Sequence, residues 1–264
     1  MFIDTHCHLD YLSNPDQAIV NASKAGVKII IAPGVNSDSS QKCINFAKKY
    51  SKVYAAVGLH PIDVKSQNLK LESQFEIIRT LIKQEKKYIV ALGECGLDFA
   101  PASGKETNRS NQDQIALFKN QVQLALKYQL PLIIHNRKAD QQLIDILTPF
   151  KGKINGVFHC FCQSKNFLKQ IIDLGFYLGL TGLISYDLGL QQVLKHIPEN
   201  KILIETDSPY LMPEPIRKTK KWPNLPENVK IVADWIAKIK GDSFLRIAKK
   251  TTKNAYTLFG LNKK

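Results

Sequence analysis

The chain has 264 residues, 44% of them hydrophobic, enough to bury a substantial core, and no apolar run approaches the roughly 20 residues that a membrane span requires. Lys and Arg number 37 against 23 Asp and Glu, and the resulting charge of +14 favours association with phosphates and other polyanions. Five cysteines, Cys7, Cys43, Cys95, Cys160 and Cys162, form an odd set without disulfide-like spacing, which argues against a disulfide-stapled secreted scaffold. Asp4 and the polar residues behind it replace the basic and apolar regions of a signal peptide, so a cytoplasmic location is expected. Only five of the cations are Arg (Arg79, Arg109, Arg137, Arg217 and Arg246), so the charge supports a nucleic-acid substrate without specifying one.

In chain order, short apolar and β-branched runs predict strands at 2–8, 28–35, 53–60, 89–98, 131–137, 156–161, 177–182 and 202–211. They read as near-continuous apolar runs, the pattern of parallel strands covered on both faces. Helical periodicity fills the spaces between them. The stretch "NPDQAIVNASKAG" offers Asn14 as N-cap, Pro15 at the first helical position and Gly26 as terminator. "LESQFEIIRTLIKQEKK" and "NQDQIALFKNQVQLALKYQ" place apolar residues three and four apart, and two further helices follow the eighth strand. Eight alternations predict an α/β fold, a (β/α)8 barrel of the TIM type in one domain spanning 1–264, with a doubly wound open sheet as the alternative. Two connections are long: "APASGKETNRSNQ" after the fourth strand and "MPEPIRKTKKWPNLPE" after the eighth. In a barrel both lie on the face where active sites are built. The second carries Arg217, Lys218, Lys220 and Lys221 beside Trp222, cations for phosphates and a ring for a base, although a solvated, proline-stiffened loop has the same composition.

The position of the histidines decides more than their number. His6, His8, His60, His135 and His159 all fall at or just past predicted strand ends, and Glu94 and Asp207 occupy the equivalent places on the fourth and eighth strands. Each alone has an ordinary explanation: a satisfied core histidine, or a carboxylate capping a helix. Together, His6, His8, His135, His159, Glu94 and Asp207 bring four imidazoles and two carboxylates to one barrel mouth, and burying so many polar groups without a cation would leave many unpaired. The set reads as a two-metal site. Zn²⁺ or Mn²⁺ suits mixed imidazole and carboxylate ligands, whereas Mg²⁺ prefers more oxygen. Alternation then sends Cys7, Cys95 and Cys160 toward the helices as packing residues.

"FIDTHCHLD", "VGLHP", "LGECGLD", "IIHNR", "FHCF" and "IETDSPYL", in this order, resemble the successive signatures of the TatD family of metal-dependent deoxyribonucleases. The resemblance implies a metal-dependent hydrolase barrel in which His6, His8, Glu94 and Asp207 surround one metal and Glu94 bridges to a second held by His135 and His159. It also implies 3′-to-5′ exonuclease or related phosphodiesterase activity on DNA. One departure follows Asp207: many members carry an "RNEP"-like stretch where this chain reads "KKWPNLPENV", a loop expected to border the DNA groove.

On this reading, Glu94 sets the metal spacing and Asp207 is both ligand and acceptor of the water's proton. His60 contacts the scissile phosphate or protonates the leaving oxygen. Arg137, two past His135, clamps a phosphate, and Tyr210, Lys220 and Trp222 line the groove. A small-molecule amidohydrolase or lactonase on the same barrel is the first rival, but many such enzymes bridge their metals through a modified lysine, and "ALGECGLD" contains none. A non-catalytic nucleic-acid-binding barrel is the second. It has no need to keep all six ligands.

Overall fold

Ile3, Ile29, Ile31, Ala56, Ala91, Ile133, Val157 and Leu203 pack together inside a ring of strands, while Phe2, Ile30, Ala32, Ala55, Leu92 and Ile134 pack outward against helices. This alternation is the signature of a barrel with two concentric apolar layers. The computed structural model describes residues 1–63, 70–101 and 110–261. Within them, β1 (Phe2–Asp4), β2 (Val27–Pro33), β3 (Val53–Val57), β4 (Ile89–Asp98), β5 (Leu132–Arg137), β6 (Gly156–Phe158), β7 (Tyr177–Leu180) and β8 (Ile202–Ile204) form one sheet in sequential order, each pair parallel. The (β/α)8 barrel is therefore the fold, and the open doubly wound alternative falls away. Most of the "APASGKETNRSNQ" loop, including Arg109, lies outside the described residues.

The first and last strands are shorter than their apolar runs because their continuations serve the barrel seam. Thr5 N–H donates to the Ile204 carbonyl (3.2 Å), Asp207 N–H to that of His6 (2.9 Å) and His8 N–H to that of Ser208 (2.8 Å). With the Cys7–Ser208 bridge, these bonds tie β1 to β8.

Helices α1 (Pro15–Lys24), α2 (Ser37–Lys49), α3 (Lys70–Gln84), α4 (Asn111–Tyr128), α5 (Asp140–Leu147), α6 (Lys165–Asp173), α7 (Leu188–Leu194) and α8 (Val229–Lys240) surround the strands. Asn14 caps α1 as expected, its side chain accepting from Gln17 N–H at 3.1 Å with Pro15 next in line. A ninth helix, α9 (Phe244–Phe259), plugs the opposite end of the barrel, where Ala255, Leu258 and Phe259 join the inner cluster. Polar clips fix it there: Tyr54 donates to the Leu261 carbonyl (2.8 Å) and Asn254 to that of Ile202 (2.8 Å). One mouth is sealed, leaving the strand C-terminal mouth for chemistry. No helix among the described residues is long and apolar enough to cross a membrane.

Candidate metal centre

Strict alternation from the inward-facing Ile3 would turn His6 outward, and alternation from Ala91 would do the same to Glu94. The chain reverses parity in both places. Past Asp4 the backbone leaves the β1 ladder for the seam, and in β4 the pairing with β5 shifts register between Leu92 and Cys95. The second reversal requires glycine: Gly93 has φ +155° and a Cβ there would meet Ile133 Cβ at 2.7 Å, while Gly96 at φ +139° faces the His135 carbonyl with no room for a Cβ. Cys7 and Cys95 are correspondingly displaced into the outer core. Cys160 departs from the packing role: it is half-buried at φ +48°, and its N–H donates to Glu205 at 2.6 Å.

Four side chains meet at the seam. His6 Nε2 lies 3.2 Å from His8 Nε2, 3.4 Å from Glu94 Oε2 and 3.6 Å from Asp207 Oδ1, and His8 Nε2 lies 3.6 and 3.4 Å from the same two oxygens. Donors about 2.0–2.1 Å from a tetrahedral cation are separated by about 3.3 Å, so these spacings fit one ion. The other Glu94 oxygen, Oε1, faces a second group: His159 Nε2 at 2.9 Å, His135 Nδ1 at 3.1 Å and His60 Nε2 at 3.1 Å, with His135 and His159 themselves 3.2 Å apart. Glu94 thus presents one oxygen to each group. All six sequence-predicted ligands converge, and His60, assigned no ligand role from sequence, stands among them.

The hydrogen bonds of His60 separate it from its neighbours. Its Nδ1 accepts the backbone N–H of Ile62 at 3.1 Å, which fixes the proton on Nε2. A ring in that tautomer donates toward Glu94 Oε1 and has no lone pair there for a metal. His6 Nδ1, His8 Nδ1, His135 Nε2 and His159 Nδ1, by contrast, are buried without a hydrogen-bond partner.

Charge distribution also calls for a cation. Burial alone would raise the Glu94 carboxyl, but His159, His60 and His135 outweigh it and hold Glu94 well below the usual carboxylate range. Asp207 is held down in the same way by His8 and His6 against burial. Among the imidazoles, burial and the neighbouring His159 push His6 down to about 4. His8 rises to about 9 despite burial because Asp207 and Glu94 face it, and His135 also rises to about 9 between Asp98 and Glu94. Each half of the centre gathers a proton where the carboxylates require positive charge, and the residues fit divalent ions.

Three buried acids around the ligands escaped the sequence reading. Asp98 Oδ2 lies 3.4 Å from His135 Nε2, and Glu205 Oε1 lies 3.8 Å from His159 Nδ1. Asp4 accepts from Thr206 Oγ1 (2.6 Å) and from the backbone N–H groups of Thr206 (2.9 Å) and His6 (3.4 Å). Burial drives Asp4 up to about 8 and Glu205 up to about 7. An ionisable residue inside an apolar strand was the available signal in "FIDTH", "GLD" and "IETD".

The centre opens into a cavity of about 330 Å³ whose walls include Tyr11, Val35, Asn36, Ile62 and Tyr210. Arg137 is at the rim instead: its side chain is 64% exposed, with Nη1 3.9 Å from Asp98. Lys220 and Trp222 are exposed on the loop after β8. The departing stretch "KKWPNLPENV" divides in two: Trp222 and the lysines face solvent, whereas Asn224 is fully buried and donates to the Thr206 carbonyl at 3.0 Å. Its second half anchors the loop and does not border a groove.

A family model described as TatD related DNase matches residues 3–260. The uncharacterized metal-dependent hydrolase YabD of Bacillus subtilis is 34% identical over 269 residues, covering 99% of this chain and 100% of that protein. The 3′-5′ ssDNA/RNA exonuclease TatD of Salmonella typhimurium is 32% identical over 254 residues, 94% of each. The crystal structure of a TatD homologue from Escherichia coli K12, YJJV, superposes with a TM-score of 0.88 at 28% identity, covering 98% of both chains.

Proposed function

The chain belongs to the TatD-related DNase family of metal-dependent hydrolases, and from that premise we propose that it removes nucleotides from the 3′ end of DNA. The observation that carries this reading is Glu94, buried at the mouth with one carboxylate oxygen in each histidine group. Relatives named as 3′-5′ ssDNA/RNA exonucleases support the polarity and the substrate class. The charge of +14 is in keeping with a polyanion. One domain spanning 1–264 houses the reaction.

Two divalent ions per chain, held by His6, His8, Glu94 and Asp207 and by Glu94, His135 and His159, are the reading that matches these spacings, with the imidazole-rich donors favouring Zn²⁺ or Mn²⁺ over Mg²⁺. When bound, such ions acidify water and neutralise charge on the phosphodiester. The side chains do the rest. Asp207, ionised and 13% exposed at the mouth, takes the water's proton. His60 offers its Nε2–H to a phosphate or leaving oxygen, its tautomer fixed by Ile62. Glu94 holds the two groups in register, while Tyr210, Lys220 and Trp222 bind the strand beyond the scissile bond. Arg137, at the rim, reaches a more distant phosphate.

Digestion of 3′- and 5′-labelled DNA by protein loaded with Mg²⁺, Mn²⁺ or Zn²⁺ tests this. Metal-dependent shortening from the 3′ end that disappears in Glu94→Ala is the expected result. DNA left intact with every ion would direct attention to a small amide or lactone substrate.

A further inference from the structure

Among the described residues, the large hydrophobic side chains left exposed include three aromatic ones, Tyr11 (45%), Tyr210 (43%) and Trp222 (61%), and these three are contiguous. The chain of rings starts inside the centre. His8 stacks on Tyr11 with centroids 5.3 Å apart and lies 6.3 Å from Tyr210; Tyr11 and Tyr210 are 6.5 Å apart, and Tyr210 leads on to Trp222 at 5.8 Å. Tyr11 and Tyr210 also form part of the cavity wall.

The outer end of this track is held firmly. Glu214 N–H donates to Ser185 Oγ (2.8 Å), and its carbonyl accepts from Trp235 Nε1 (3.1 Å). Asn224, two residues past Trp222, bonds the carbonyls of Pro209 and Thr206 and accepts from Asn228 at 2.9 Å. Arg217 is committed to the loop itself, over the Tyr186 ring at 4.4 Å and beside Glu214. Lys218, Lys220 and Lys221 are exposed and have no carboxylate within ion-pair distance among the described residues. Ring faces open to water and uncompensated cations thus run together from the mouth outward.

We infer that Tyr11, Tyr210 and Trp222 form a stacking track for unpaired bases, so that the centre selects a single-stranded end over a duplex end. This rests on the nuclease reading and adds the residues that enforce strandedness. A ring can cover a base only where that base has a free face, and in a duplex each face is occupied by the neighbouring pair. Every base has such a face, so the track is indifferent to sequence, while the lysines pair with phosphates that all sequences share. The two steps from His8 to Tyr210 and on to Trp222 place the last two or three bases of the strand on the track.

The test is binding of metal-loaded protein to a single-stranded oligonucleotide whose 3′-terminal phosphorothioate linkages resist cleavage, compared with the same strand lacking its last three bases. Wild type is expected to bind the intact strand at least about tenfold more tightly than the abasic one. Tyr11→Leu and Trp222→Leu should shrink that ratio toward one, and Tyr11→Phe, which keeps the ring, should preserve it. A wild-type protein indifferent to base removal, or Leu variants as sensitive to it as wild type, would overturn the track. Hydrolysis of a small phosphodiester, bis(4-nitrophenyl) phosphate, by wild type probes the nuclease reading separately. Base-sensitive binding without hydrolysis of either substrate would sink that reading and leave the track supported.

Discussion

The two halves of the centre are built differently. The His6, His8 and Asp207 half sits on the barrel seam, with donor spacings of 3.2–3.6 Å, and the outer nitrogens of both histidines lack partners. The His135 and His159 half sits on adjacent interior strands, with spacings of 2.9–3.2 Å and a buried carboxylate behind each ring, Asp98 and Glu205. Carboxylates behind ligating histidines orient the ring and raise its basicity. One half is therefore positioned by chain closure, and the other by a shell of acids.

Replacing one histidine in each half tests whether they hold separate ions. His8→Ala and His159→Ala should each lose one metal equivalent by elemental analysis and about 10³-fold in activity, several kcal/mol of lost charge stabilisation. Loss of both ions from either variant would show that the halves are one site. His60→Ala sharpens the division between ligand and donor: activity should fall about 10²-fold with metal content unchanged, and a lost equivalent would place His60 in the coordination sphere. Asp98→Asn should weaken metal binding by about 10-fold or more in its own half, read by competition with a chelator, and leave the seam half alone.

The pH response is the smallest of these effects. In chelated protein, His8 and His135 titrate near 9 against an ordinary 6.5, so the stability they contribute is complete below pH 6.5 and is lost as pH climbs through 9. Asp4, near 8, and Glu205, near 7, act in the same direction because the fold favours their neutral forms. Metal uptake must displace the imidazole protons and so becomes easier as pH rises. The gain in Tm on adding Mn²⁺ should therefore widen from pH 6.5 to 9. A gain that narrows over that window would mean that the protons reside elsewhere.

Much of this was legible because barrels place strand ends at one mouth, so five histidines at strand ends had one place to meet. Other features depend on contacts that periodicity does not encode. The parity reversals that aim His6 and Glu94 inward come from the seam and from the register shift beside Gly93. The tautomer of His60 depends on one backbone N–H. Tyr11 reads as an unremarkable residue after "HLD" until the fold sets it beside Tyr210, about 200 residues further along the chain. Arg137 shares strand parity with His135, but parity fixes the face and not the reach, and the side chain ends at the rim.

The seam also fixes when the centre can first exist. His6 and His8 emerge with the first residues made, yet their partner Asp207 follows about 200 residues later, a delay of about 10–40 s at ordinary rates of synthesis. Until the eighth strand has left the ribosome, a growing chain carries an H-x-H pair but no assembled centre. The protein is thus born inactive, and hydrolysis begins only when its first and last strands have joined.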